Sequence, residues 1–129
     1  MAGRRRDRHI PRVRIRIYAF SGCDTCRRAL RLLEARQVDF EVIAIRESPP
    51  TPAELRRALA AVKGDLRRLF NTSGQEYRRL NLKDSLAGMS PDEAIELLSR
   101  NGHLVKRPLL FSPKRVLVGF KADEWTQAL

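Results

Sequence analysis

In "RVRIRIYAF" (12–20), Val13, Ile15 and Ile17 alternate with arginines. A period of two predicts a strand. The alternation stops at Ser21–Gly22. From Asp24 to about Gln37 the apolar spacing lengthens to that of a helix, with Ala29, Leu30, Leu32 and Leu33 on one face. "DFEVIAI" (39–45) is almost wholly apolar and β-branched, which predicts a strand covered on both faces. The order is β-α-β, and the right-handed crossover rule makes its two strands parallel neighbours.

"ESPPTPAEL" marks the next helix start. Thr51 suits the cap, Pro52 the first position, and Glu54 completes a capping box. Leu55, Ala58, Leu59 and Val62 follow at helical spacing, and Gly64 ends the run. Short helical pieces are predicted at 65–70 and 74–80. "SPDEAIELLSRNG" repeats the grammar with Ser90, Pro91 and Glu93, stopping at Asn101–Gly102. "RPLLFSPKRVLVGF" predicts a hairpin of two short strands, and "ADEWTQAL" a last helix with Trp125 and Phe120 in the core.

The pattern therefore predicts an α/β domain over 12–129, with a mixed four-stranded sheet ordered β-α-β, helical insert (about 51–100), β-β-α. Residues 1–11 read as a flexible basic arm ending at Pro11. One feature resists this plan. Arg12, Arg14 and Arg16 fall on a strand that should be central.

Composition narrows the class. A 129-residue chain with 43% hydrophobic content suits one globular domain. No apolar run approaches the roughly 20 residues that cross a bilayer. The basic start runs into alternating Arg and Ile, without the apolar core of a signal peptide, so the expected location is cytoplasmic. The net charge of +11 is mostly arginine, recurring as Arg27–Arg28, Arg56–Arg57, Arg67–Arg68 and Arg78–Arg79. It fits either attraction to anions or a solvated arginine surface. No aromatic residues are interleaved for base stacking, so direct nucleic-acid binding is not expected.

The two cysteines of the chain stand in "FSGCDTCRRAL" (20–30). They admit three readings: a redox pair, half of a metal site, or inert core thiols. A structural zinc site wants four ligands, and His9 and His103 stand at no recognisable spacing. No metal or bound cofactor is expected. A Cys-x5-Arg phosphate loop is excluded, because the required positions hold Ala29 and Leu32. A CxxC at a strand-to-helix turn beside a βαβ unit favours the thioredoxin-like redox reading. Cys23, where the helix begins, meets unpaired N–H groups and the positive dipole end and is the expected thiolate. Cys26, inside the first turn, is the expected resolving thiol. Arg27 and Arg28 add positive charge beside them.

Three stretches together, "YAFSGCDTCRRAL", "LRRLFNTSGQEYRRL" and "KRPLLFSPKRVLVGF", resemble the arsenate reductase (ArsC)/Spx family of thioredoxin-fold proteins, from about Val13 to the C-terminus. The resemblance implies that Cys23 is the catalytic cysteine and that Arg67 and Arg107 bind the oxyanion. It also implies a cis Arg107–Pro108 bond, with Pro108 facing the cysteine. Arsenate or a similar oxyanion would sit on these arginines and on the N–H groups of Asp24, Thr25 and Cys26. The electrons would come from Cys26 or glutathione, recycled by thioredoxin or glutaredoxin. Two departures lean toward the Spx-like branch. Glutathione-dependent reductases generally lack a cysteine where Cys26 stands, and they carry a third arginine where this chain has Val118 to Phe120. In that branch CxxC is a redox switch and the protein binds the RNA polymerase α-subunit through a glycine near Gly64. His103 reads as a loop residue.

Overall fold

A computed structural model describes residues 14–129. The basic arm, Arg12 and Val13 lie outside the described residues. Strand β1 (Ile15–Ala19) leads through the Ser21–Gly22 turn to helix α1 (Asp24–Ala35) and strand β2 (Phe40–Ala44). Next come α2 (Pro52–Ala61), a 3-10 turn (Leu66–Leu69), α3 (Gln75–Arg79), α4 (Leu82–Ser85) and α5 (Pro91–Arg100). A hairpin of β3 (Leu109–Phe111) and β4 (Val116–Val118) and helix α6 (Ala122–Ala128) close the chain. The sheet order is β2-β1-β3-β4, with β1 and β2 parallel and the other pairs antiparallel. This is the expected mixed sheet of a thioredoxin-like fold.

Strand alternation divides the core. Ile17, Ala19, Leu110 and Leu117 face α1 and α6, meeting Cys26, Ala29, Leu33 and Trp125. Tyr18, Leu109 and Phe111 face the helical insert, meeting Leu55, Ala58, Ile95 and Leu98. Both insert helices start as predicted. Glu54 N–H donates to Thr51 Oγ1 at 3.1 Å, and Thr51 N–H donates to Glu54 Oε1 at 2.9 Å. Ser90 and Glu93 form the same reciprocal pair. Past α2, the backbone turns left-handed at Lys63 and Gly64 (φ +82°), where glycine carries no Cβ penalty.

Two expectations change. The "DFEVIAI" strand is not covered on both faces: β2 lies at the sheet edge, and Val42 is 37% exposed. The hairpin adds to the other side of β1, so among the described residues no strand pairs with the outer side of β2. Helix α4 and the 3-10 turn after it (Leu86–Gly88) were not predicted, because only Leu82 and Leu86 bury there.

The arginine on the central strand finds a partner in Glu54. Arg16 shares the insert-facing side of β1 with Tyr18, and its guanidinium ion-pairs with the Glu54 carboxylate. Tyr18 hydroxyl donates to Glu54 Oε1 at 2.6 Å. Burial and this bond push the Tyr18 hydroxyl up to about 12. Burial also pushes the Glu54 carboxyl up, but bonds from Tyr18, Thr51 and Arg16 outweigh it and hold it below the carboxylate range. Arg14 is exposed.

Candidate active site

Residues 20–26 are shaped by a tight turn between β1 and α1. Cys23 N–H donates to the Phe20 carbonyl at 3.0 Å, and Cys23 becomes the N-cap of α1 in extended conformation. Its sulfur takes the role usually played by a Ser or Asp oxygen, accepting the Cys26 N–H at 3.3 Å. The glycine before it serves packing. A Cβ on Gly22 would lie 2.6 Å from Phe20 Cε2, so the Phe20 ring folds over a position with no side chain.

The two thiols differ. Cys23 is half-buried, whereas Cys26 is fully buried against the α1–α6 core. Burial pushes the Cys26 thiol up to about 12, and Cys23 adds to this. A backbone hydrogen bond from Phe20 and the charge of Arg107 oppose it. Both cysteines are free thiols here. Among the described residues, no group of three His, Cys, Asp or Glu is placed to hold a metal ion. His9 lies outside the described residues.

Arg107 is the buried cation of the site, 8% exposed. Its Nε donates to Val105 O at 3.0 Å, and Nη2 donates to Gly102 O at 2.7 Å and His103 O at 3.0 Å. That edge of the fork is therefore used by the chain itself, and charge is what Arg107 brings to the sulfurs. Burial lowers its pKa, as does Arg46, while Cys26 and Cys23 pull it up. The Arg107–Pro108 bond is cis.

Other expected residues sit differently. Cys26 N–H, expected to hold an oxyanion, goes to Cys23 Sγ, because the N-cap sulfur lies nearest to it. Arg27 turns back: Nη1 donates to Ser21 O at 2.7 Å, and Nη2 reaches Asp24 at 3.4 Å, bracing the loop. Asp24 is exposed and Thr25 half-buried. The N–H groups of Asp24 and Thr25 open the helix, where no carbonyl of an earlier turn exists to accept them.

Arg67 is exposed and lines a cleft of about 340 Å³ with Arg68, Thr72, Lys106, Phe120 and Lys121. Neither cysteine nor Arg107 lines that cleft, and neither does any carboxylate. Phe120 is half-buried, edge-on to Trp125 at 5.1 Å between centroids, with the Arg28 guanidinium 5.8 Å from its ring.

Sequence reading missed Arg46. It stands just past β2, with its guanidinium 3.6 Å from the Phe20 ring centroid. The available signal was topological. Parallel β1 and β2 end side by side, and ligand groups gather at the carboxyl ends of such strands.

Known proteins resemble this chain in sequence and in fold. The chain is 44% identical over 110 residues to the uncharacterized protein YusI of Bacillus subtilis, covering 85% of this chain and 93% of that one. The Regulatory protein MgsR of Bacillus subtilis is 28% identical over 83% of each chain. A crystal structure described as a possible arsenate reductase from Streptococcus mutans superposes with a TM-score of 0.83 at 36% identity, over 91% of this chain and 99% of that one. The ArsC family model matches residues 18–128. That match begins within β1 and ends within α6, taking in both cysteines and the cis-proline step, and the chain belongs to the ArsC family.

Proposed function

We propose that this protein is a thiol oxidoreductase of the arsenate-reductase type, with Cys23 as nucleophile and Cys26 as resolving thiol. One observation carries the reading: the accessible sulfur caps α1 and accepts the N–H of the buried cysteine one turn on, at 3.3 Å. The capping position gives a thiolate the positive end of a 12-residue helix.

The chemistry runs in three steps. Cys23 thiolate attacks arsenic(V), a sulfur–arsenic bond forms, and one arsenic-bound hydroxyl takes a proton from solvent and leaves as water. Cys26 then gives its proton to an oxygen of the bound arsenic group and attacks the Cys23 sulfur. The disulfide forms as the sulfur–arsenic bond breaks, and the electron pair stays on arsenic, which departs as arsenite. An external thiol system, thioredoxin or glutathione with glutaredoxin, reduces the disulfide by exchange and is itself oxidised. Arg107 supplies the buried positive charge beside both sulfurs. Arg67 and the neighbouring cations offer a second anion-attracting surface across the Lys106–Phe120 cleft.

The test is arsenate turnover by purified protein with both donor systems in parallel. Turnover that Cys23→Ser abolishes is expected. Absence of turnover with either donor would overturn the arsenate reading.

A second reading is a redox-sensing regulator of the Spx type, binding the RNA polymerase α-subunit. It is supported by the regulators among the relatives, such as MgsR and Spx of Streptococcus pneumoniae, and by the CxxC. Gly64 is exposed at φ +82° with open space before it. Co-purification with the α-subunit, abolished by Gly64→Arg, would favour this reading.

A further inference from the structure

We propose that Arg46 is a specificity-determining residue of this site: with Arg107 it forms a two-guanidinium clamp on the Phe20 ring that draws small anionic electrophiles to Cys23. The inference rests on the reading of Cys23 as nucleophile.

Three observations place the clamp. The Arg46 guanidinium stacks 3.6 Å from the Phe20 centroid, and that of Arg107 lies 6.0 Å from the same centroid. Aromatic faces hold cations in this way. Second, one glycine sets both arginines. A Cβ on Gly102 would lie 1.9 Å from Ile45 O and 2.8 Å from Arg46 Cα, so the backbone around Arg46 packs directly on Gly102. The Gly102 carbonyl in turn accepts Arg107 Nη2 at 2.7 Å. Third, Phe20 connects the clamp to the sulfur. Its ring lies over Gly22, and its carbonyl accepts the Cys23 N–H at 3.0 Å.

Two cations held on one ring repel each other, and among the described residues neither forms an ion pair with a carboxylate. An arriving anion relieves that repulsion. Arg46 is exposed, so it meets the anion first, and the buried Arg107 adds charge behind it. The ligand class is a small anion, an oxyanion or a carboxylate-bearing electrophile.

The test compares alkylation of Cys23 in the reduced full-length protein by iodoacetate and by neutral iodoacetamide. In both, sulfur displaces iodide from carbon, so only the charge of the reagent differs. Arg46→Ala is expected to lower the iodoacetate-to-iodoacetamide rate ratio about three- to tenfold at low salt, with the loss shrinking at high salt. Arg46→Lys should keep most of the ratio, and Phe20→Leu should lose part of it. An unchanged ratio in Arg46→Ala, or an equal fall with both reagents, would overturn the clamp. A lowered ratio together with failed arsenate turnover would overturn the arsenate reading and leave the clamp standing.

Discussion

The backbone of Gly102 lies against the carbonyl of Ile45 so closely that a Cβ there would come within 1.9 Å of the oxygen. The contact is backbone on backbone, so no side chain can swing aside to relieve it. Gly102→Ala is therefore expected to cost about 3 kcal/mol, the upper part of the usual overpacking range, read as a lower denaturant midpoint. A midpoint equal to wild type would show that the loop shifts without penalty.

Cys23 and Cys26 should separate cleanly under alkylation. Cys26 is fully buried, and its thiol is pushed up to about 12 by burial. Native protein treated at neutral pH should carry label on Cys23 alone until unfolding exposes Cys26. Peptide mass spectrometry reads this directly, and equal labelling of both at early times would contradict it.

Alkali should destabilise the fold. The raised Cys26 and Tyr18 values mean that the native state holds their protons more tightly than the unfolded chain. Their contribution is complete below the ordinary values, 9.0 for the thiol and 10.0 for the phenol, and is lost as pH rises toward about 12. Denaturation midpoints should fall from pH 9 upward, with a shallower slope in Tyr18→Phe. An identical slope in that variant would remove Tyr18 from the account.

Glu54 joins a helix start to the sheet, since its carboxylate serves Thr51 N–H, Tyr18 hydroxyl and Arg16 at once. Glu54→Ala should cost about 2–3 kcal/mol, from a lost cap and from two partners left unpaired. Tyr18→Phe should cost less, since it removes one donor and leaves the ion pair. The reverse order, by chemical denaturation, would mean that the hydroxyl rather than the carboxylate organises the cluster.

Trp125 is the chain's one tryptophan; it is fully buried and donates Nε1–H to Gly119 O at 3.0 Å. Trp125→Ala should cost about 3–5 kcal/mol, the usual loss for a core aromatic. Wild-type emission should be blue-shifted when folded and move red on denaturation. A red, solvent-like emission from the folded protein would show that α6 does not dock.

Most local rules were legible. Both capping boxes, the helix stop at Gly64, the hairpin and the buried Trp125 follow from a few neighbouring residues, and such signals survive in a linear chain. The cis step at Arg107 was read from resemblance. The exposed face of β2 was not legible, because apolar β-branched residues fit an edge strand as well as a central one. The brace between Arg27 and the Ser21 carbonyl was not legible either, because that contact exists only once the turn has closed.

By itself, the sequence determined the order of strands and helices, the place of Cys23 at the start of α1, and the burial of Cys26 one turn on. Each depends on spacing within a few residues. Tertiary structure alone decided which partner most of the arginines meet. Arg16 became a structural ion pair, Arg67 went to the Lys106–Phe120 cleft, and Arg46 arrived from the turn after β2 to stack on Phe20. A guanidinium reads identically wherever it stands in a chain, and its role is set by carbonyls, carboxylates and rings that only folding brings within reach.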